Sequence, residues 1–251
     1  MTRVRGLVVV LVVIVGLAGI GVAWYARHGA TEDRGTSTLP GPVRSVDVEI
    51  DSGRVDVVAG PGVEAKVDRV RHYLRGAPSL TQSFVNGILR VEGHCPRFVA
   101  VACAVDIRVE VPAATPVLVR TERGTVSVDG MAGGVDVATT AGAVHLPRVT
   151  GTVKATTSAG TIDGVDLAPT ALDAVTSGGA IRLTLAQAPG RLGLRTGAGS
   201  IDLALPATPG GYRVTTKTSG GKVSVTVPQD PSSGRAVTAT TGAGRISIHP
   251  R

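Results

Sequence analysis

The chain has 251 residues, with 26 Lys and Arg against 19 Asp and Glu, a net charge of +7, and only 2% aromatic residues. The few aromatic residues argue against a conventional aromatic-rich sandwich core. With basic residues that are scattered along the chain, they also argue against a protein that binds nucleic acid.

The first 26 residues predict a membrane anchor. Gly6 to Ala23 contains only Gly, Ala, Val, Leu and Ile, with arginines before it and a Trp-Tyr pair after it. This length and these flanks suit a transmembrane helix whose basic N-terminus stays in the cytoplasm. A cleaved signal peptide is the alternative, because Gly21-Val22-Ala23 resembles a small-x-small cleavage site. We therefore expect a single-pass protein of the cell membrane with an extracytoplasmic C-terminal domain, or a secreted one after cleavage.

The next two segments connect this anchor to the rest of the chain. Residues 27–42 are rich in Gly, Thr, Ser, Pro and charged residues, which is typical of a flexible stalk. Residues 43–116 predict an N-terminal cap with irregular strands. Within it, Arg44 to Val58 reads as the first rung or cap of a repeating body, and residues 88–92 and 105–111 alternate as strands do.

Cys95 and Cys103 are the only cysteines and stand between two of these strands. In an oxidising compartment they are expected to form a disulfide. A metal site is not expected, because only His94 lies nearby and there is no second cysteine pair.

Residues 117–251 contain a motif that occurs seven times. In each copy a threonine stands three residues before a glycine, and Val or Ile stands two residues after it. The glycines are Gly124, Gly142, Gly160, Gly179, Gly199, Gly221 and Gly244, and the threonines are Thr121, Thr139, Thr157, Thr176, Thr196, Thr218 and Thr241. A fixed motif with connections of slowly growing length is the signature of a solenoid.

Apolar residues fall at every second position on both sides of the glycine, which predicts a strand, a tight corner and a second strand with one buried face. Glycine suits a sharp corner that needs positive φ. Seven copies with matching columns favour parallel in-register stacking over separate hairpins. We therefore expect an all-β single-stranded parallel β-helix, or β-solenoid, behind the N-terminal transmembrane helix; an ordinary β-sandwich is the alternative.

The threonine column is interpreted as structural. Its alternation with Val, Leu and Ala places it inside the solenoid or at the corner, where hydroxyl hydrogen bonds would form a ladder. Ice-binding proteins also carry threonine arrays, but on an exposed flat face, which this alternation does not predict.

An outward column stands three residues after each glycine and contains the candidate surface residues His145, Asp163, Arg182 and Asp202. Stacking makes His145 and Asp163 neighbours and places Arg182 between the two aspartates. Glycoside hydrolysis uses two carboxylates about 5–9.5 Å apart, so a polysaccharide-active enzyme is one alternative. We favour alternating charge along a solvated strand face, because the flanking Gly, Ala and Ser build no walled cleft. We predict no catalytic, cofactor-binding or metal-binding residues.

The anchor, the short stalk and repeats such as Thr-Ser-Ala-Gly-Thr-Ile-Asp and Thr-Gly-Ala-Gly-Ser-Ile-Asp resemble the bacterial DUF4097 family of adhesin-like proteins. The resemblance covers roughly Val43 to Ile248. It implies a β-helical, surface-exposed, non-enzymatic domain, and some relatives accompany envelope-stress regulators.

These observations favour a membrane-anchored, adhesin-like binding or scaffold module of the cell envelope that needs no cofactor. Its expected partners are the membrane and an anionic envelope polymer or an envelope protein, with no nucleic acid. An accessory of an envelope-stress sensor is the second alternative to this function, beside the enzyme.

Overall fold

A computed structural model describes residues 31–96 and 103–251, and all the regular structure in these residues is β. No helix among them is long and apolar enough to cross a membrane. The predicted transmembrane segment lies outside the described residues. The strands are β1 Thr31–Leu39, β2 Ser45–Ser52, β3 Val55–Gly60, β4 Ala65–Tyr73, β5 Ser79–Val85, β6 Ile88–His94, β7 Cys103–Pro112, β8 Val117–Arg123, β9 Val126–Asp129, β10 Val135–Ala141, β11 Val144–Pro147, β12 Val153–Ala159, β13 Ile162–Leu167, β14 Ala171–Gly178, β15 Ile181–Leu185, β16 Arg191–Ala198, β17 Ile201–Leu205, β18 Arg213–Gly220, β19 Val223–Val225, β20 Ala236–Ala243 and β21 Ile246–Pro250.

The strands form two sheets that enclose one continuous aliphatic core. Sheet 1 has eleven strands in the order β1-β4-β7-β3-β9-β11-β13-β15-β17-β21-β19, and sheet 2 has ten in the order β18-β20-β16-β14-β12-β10-β8-β2-β6-β5. A strand of sheet 2, a corner and the next strand in sheet 1 make one rung. Rungs pair in parallel and in register, as Val135 with Val153 and Val144 with Ile162 illustrate. The all-β, mostly parallel stacked architecture predicted from the repeat is confirmed.

The rungs do not stack in chain order at either end. Rung β2–β3 lies between β6–β7 and β8–β9, and the last rung in the chain, β20–β21, lies between β16–β17 and β18–β19. The segment Arg44 to Val58 therefore belongs to the interior of the stack, and its reading as the first rung or cap was wrong. Because β2–β3 and β20–β21 each have a neighbouring rung on both sides, their apolar residues are covered, whereas those of a terminal rung would be partly exposed.

The start of the chain's described part differs from the expected stalk. Thr31–Leu39 is strand β1, which pairs antiparallel with β4 along all nine of its residues. Thr36 donates a hydrogen bond to Asp68, and Arg71 forms an ion pair with Asp33. Polar composition suggested a linker, but alternating side chains with partners on β4 make this segment the edge of sheet 1.

Five of the seven corner threonines donate a hydrogen bond to a glycine of the neighbouring rung. Thr176 donates its hydroxyl hydrogen bond to the carbonyl oxygen of Gly160 at 3.0 Å, and Thr196 donates to that of Gly179 at 2.9 Å. Thr157, Thr218 and Thr241 make the equivalent bond to the neighbouring rung's glycine. Thr121 instead bonds Arg123 of its own strand, and the hydroxyl of Thr139 has no partner. The hydroxyls therefore bridge rungs through the backbone.

The glycine is required by the stacking of one corner on the next. A Cβ on Gly142 would lie 1.6 Å from the carbonyl oxygen of Gly124, and one on Gly160 would lie 1.9 Å from that of Gly142. Positive φ contributes at some corners, for example 132° at Gly124 and 147° at Gly244. The close approach of two backbones is thus the common requirement, beyond the turn geometry expected from the sequence.

The corner of rung β6–β7 is built differently. Cys95 and Cys103 form a disulfide there, with their Cα atoms 5.9 Å apart. Asp51 of the adjacent rung accepts hydrogen bonds from the Cys95 amide at 2.8 Å and pairs with His94 at 3.0 Å. A covalent link therefore joins the end of β6 to the start of β7, where Gly93 stands in the column of the corner threonine.

Candidate binding surfaces

The outward column on sheet 1 is assembled by the in-register stacking of β9, β11, β13, β15 and β17. Ser127, His145, Asp163, Arg182 and Asp202 occupy consecutive strands at the same position. Toward the two ends of the stack, Asp56 and Ser247 continue the column, and Ser224 follows Ser247. Because side chains alternate along a strand, the neighbours of these residues in sequence face the core.

Asp163 is the centre of this column. It accepts hydrogen bonds from Arg182 at 3.2 Å and from the Thr161 hydroxyl at 3.0 Å, and His145 lies 3.8 Å away. Asp202 pairs with His249 of β21 at 3.3 Å. His249 was missed in the sequence, because it stands five residues after its glycine, one outward position beyond the column we followed.

This arrangement does not form an acid–base site for glycoside hydrolysis. Asp163 and Asp202 are two strands apart, about 9.6 Å in a β-sheet, with Arg182 between them. Both aspartates are engaged in ion pairs, and the Arg182 and Asp202 side chains are more than half exposed. The open depression beside them, about 480 Å³, is lined by Asp202 but not by Asp163. Opposed carboxylates across a cleft are therefore not present in this column.

Sheet 2 carries a longer groove that sequence reasoning did not identify. It has a volume of about 520 Å³ and crosses the first residues of β2, β8, β10, β12 and β14. Its floor is apolar and includes Pro116 and Leu118, and Ile88 stands at one end with 47% of its surface exposed. Asp136 and Lys154 form an ion pair along its rim at 3.4 Å. The sequence could have indicated this groove, since Leu118, Asp136 and Lys154 each stand six residues before a corner glycine and so form one column.

Two titrating groups at the disulfide end of the stack have altered pKa values. Burial raises the pKa of Asp56, although Arg54 and Arg108 oppose this. The hydrogen bond with Asp51 raises the pKa of His94, and burial opposes this. Both shifts arise from burial and from neighbouring charged groups on the same or the adjacent rung, so they indicate structural interactions.

Metal binding has no evident basis in the described part of the chain. No group of three or more His, Cys, Asp and Glu side chains converges among residues 31–96 and 103–251. Cys95 and Cys103 form a disulfide with each other, so neither offers a free thiolate to a metal.

Stacked two-strand rungs, glycine–threonine corners and outward columns that vary from rung to rung define an all-β solenoid-like repeat protein. The chain belongs to the DUF4097 family, described as Toastrack, whose pattern matches residues 45–249. The resemblance noted in the sequence is thereby confirmed. No curated protein matches the chain.

Solved structures with a similar arrangement are distant in sequence. A proposed lipid-binding protein from Parabacteroides distasonis is 12% identical, covers 87% of this chain and 97% of its own, and gives a TM-score of 0.48. A proposed adhesin from Bacteroides fragilis is also 12% identical, with 88% and 97% covered and a TM-score of 0.47. A proposed cell adhesion protein from Clostridium sporogenes is 12% identical, with 88% and 100% covered and a TM-score of 0.39.

Proposed function

We propose that this protein is a non-enzymatic binding or scaffold module that its N-terminal segment anchors to the cell membrane, with the solenoid on the extracytoplasmic side. The observation that carries the proposal is the constant interior beneath variable outward columns. Interior positions repeat Val, Ile, Leu and Ala, while the column through Asp163 changes from serine to histidine, aspartate and arginine. A rigid core with a varied surface suits recognition of a partner.

The outward column around Asp163 supports the same proposal. His145 and Arg182 each approach Asp163 from a neighbouring strand, so each carboxylate oxygen of Asp163 already faces a neighbouring side chain. The disulfide between Cys95 and Cys103 is compatible with an oxidising extracytoplasmic compartment.

Protease treatment of intact cells, followed by membrane fractionation, tests the location. We expect the chain in the membrane fraction and the solenoid to become accessible to added protease once any outer permeability barrier is opened. Recovery in the cytosolic fraction, protected from protease, would overturn the proposal.

A glycan panel tests the absence of enzymatic activity. We expect the purified full chain to release no reducing ends from envelope polysaccharides. Release that is lost in Asp163→Ala but retained in Ser127→Ala would establish the enzyme alternative. Co-purification of a stoichiometric membrane sensor from intact cells would instead identify an accessory of an envelope-stress system.

A further inference from the structure

Basic residues occur along the whole chain, but their excess over acidic residues is concentrated at one end of the solenoid. Residues 189–251 contain eight Lys and Arg against two Asp, whereas residues 31–188 contain fifteen against seventeen Asp and Glu. Residues 189–251 build the last three rungs of the stack, β16–β17, β20–β21 and β18–β19. Strand β1, where the described chain begins, lies at the opposite end of sheet 1. The basic rungs are therefore the ones farthest from β1.

Four of these cations share one face of sheet 2. Arg191 and Arg213 flank Ala236 on consecutive strands, and Arg195 and Lys217 flank Thr240 in the same way. The two members of each pair are two strands apart, about 10 Å. The first pair is four residues along the strands from the second, about 13 Å. We call Arg191, Arg195, Arg213 and Lys217 the basic quartet.

The quartet is available to bind a ligand. All four side chains belong to exposed residues, and their neighbours in sequence, such as Leu192 and Leu194, face the core. None of the four lies within 4.0 Å of a carboxylate among the described residues, although other basic residues do, as Arg182 and Lys154 show. The nearest carboxylate in register is that of Asp173, which pairs with Gly193 and extends over it on the face that Arg191 and Arg195 share. Four unpaired cations on a rigid sheet raise the local concentration of anions.

The surface between the four cations selects the kind of anion. It consists of Gly193, Thr215, Ala236, Thr238 and Thr240, which are small and mostly carry hydroxyl groups, and the Asp173 carboxylate extends over Gly193 at its edge. This surface has no walls that would enclose a small anion and no aromatic side chain on which a nucleic-acid base could stack. It also lacks a large apolar side chain for insertion into a bilayer. Charges that repeat at intervals of about 10 Å on a flat, hydroxyl-bearing surface fit an extended linear polymer of anionic units.

We propose that the basic quartet binds an extended anionic polymer of the cell envelope, such as a polyuronate or a polymer of phosphodiesters. This inference rests on the proposed function and identifies the partner of the module. Arginine can pair with carboxylate or phosphate through two parallel hydrogen bonds, and lysine adds a compact charge. The threonine hydroxyls supply hydrogen bonds to the polymer between its charges.

The test measures binding of the full chain, in uncharged detergent, to labelled polyphosphate, polygalacturonate and neutral dextran. The quartet variant carries Arg191→Gln, Arg195→Gln, Arg213→Gln and Lys217→Gln. The matched control carries Arg44→Gln, Arg54→Gln, Arg75→Gln and Arg123→Gln, which are exposed residues without ion pairs and remove the same net charge. Circular dichroism melting establishes that both variants fold.

We expect the unmodified chain and the control to bind at least one polyanion, with affinity falling about 50-fold between about 50 and 200 mM salt, as expected for four cations that each release about 0.7 counterions from a single-stranded polyanion. The quartet variant should bind at least tenfold more weakly, with a flatter salt dependence, and dextran should not bind. Preference between the two polymers distinguishes phosphate from carboxylate.

Equal binding by both variants, or binding to neither polyanion, would overturn this inference even if the chain is found at the cell surface. Quartet-dependent binding to phosphatidylglycerol vesicles with no binding to either polymer would also overturn it, and would assign the face to the membrane. A cytosolic location would overturn the proposed function itself, whichever polymer binds.

Discussion

Single hydroxyl groups at the corners make different contributions, although the sequence shows the same residue seven times. Thr196 donates to the carbonyl oxygen of Gly179 at 2.9 Å, whereas the buried hydroxyl of Thr139 has no partner. Valine has the shape of threonine without its hydroxyl. We therefore expect Thr196→Val to lower the free energy of unfolding by about 1 kcal/mol.

Thr139→Val is the matched control and should be neutral or stabilising, because it removes a polar group that is buried without a hydrogen bond. Thermal melting measures both, and a loss of about 1 kcal/mol corresponds to about 2–4 °C for a domain of this size. Equal losses would mean that the hydroxyls contribute through something other than the glycine carbonyls.

His94 gives the disulfide end a dependence on pH. The hydrogen bond with Asp51, and the nearby charges of Asp51, Glu49 and Glu92, raise the pKa of His94 above its ordinary value. Protonated His94 therefore stabilises the folded state. This stabilisation is complete below about pH 6.5, the ordinary pKa of histidine, and is lost as the pH rises through the raised pKa.

We expect His94→Gln to reduce the melting temperature more at pH 5.5 than at pH 8.5. His94 is half exposed, so solvent screens the ion pair and the difference should be small. Melting of both proteins in matched buffers measures it, and a deficit that is the same at both pH values would show that the charge of His94 has no role.

At the scale of the rung, the corner glycine is irreplaceable while its neighbour is not. A Cβ on Gly179 would lie 2.0 Å from the carbonyl oxygen of Gly160. The nearest atom to a Cβ on Gly178 is 3.9 Å away, and Gly178 pairs in register with Ala159 and Ala198. We expect Gly179→Ala to destabilise the fold by about 3 kcal/mol, because two stacked backbones would have to separate.

Gly178→Ala should leave stability within about 0.5 kcal/mol of the original protein. Chemical denaturation followed by circular dichroism distinguishes the two substitutions. If Gly179→Ala were also neutral, the close contact between corners would not be a requirement of the stack.

The repeat allowed the rungs and the direction of most side chains to be predicted, because in-register stacking gives each column the same environment in every copy. Val144, Ile162, Ile181 and Ile201 illustrate this, since each is inside and fully buried. The edge strand Thr31–Leu39 was not predicted, because its polar residues alternate without an apolar face. Its pairing depends on β4, which contributes Arg71 and Asp68 from a distant part of the chain.

Of the candidate surfaces, the sequence predicted only the outward column three residues after each corner glycine. His145, Asp163, Arg182 and Asp202 stand in register as expected, but the pairing of Asp202 with His249 depends on a diagonal between strands that a single column does not include. The basic quartet depends on the order of rungs. Arg195 and Lys217 lie two strands apart only because β20 inserts between β16 and β18.

At the scale of the whole molecule, the position of rung β20–β21 between β16–β17 and β18–β19 predicts which rung is least stable. Among the described strands, β18 pairs only with β20, and its inward residues Val214, Thr216 and Thr218 are partly exposed. Strand β20, nearer the chain terminus, has partners on both sides and buries Val237 and Ala239. An edge strand leaves about half of its amides without a sheet partner and opens at lower free energy than an interior strand.

Hydrogen exchange of the full chain, followed by mass spectrometry, tests the order directly. We expect peptides that cover residues 213–225 to exchange before peptides that cover residues 236–250, although the latter end the chain. Stacking in simple chain order would produce the reverse, because the last rung would then be the exposed one. Slow exchange in residues 213–225 and fast exchange in 236–250 would thus contradict the inserted rung and, with it, the spacing of the basic quartet.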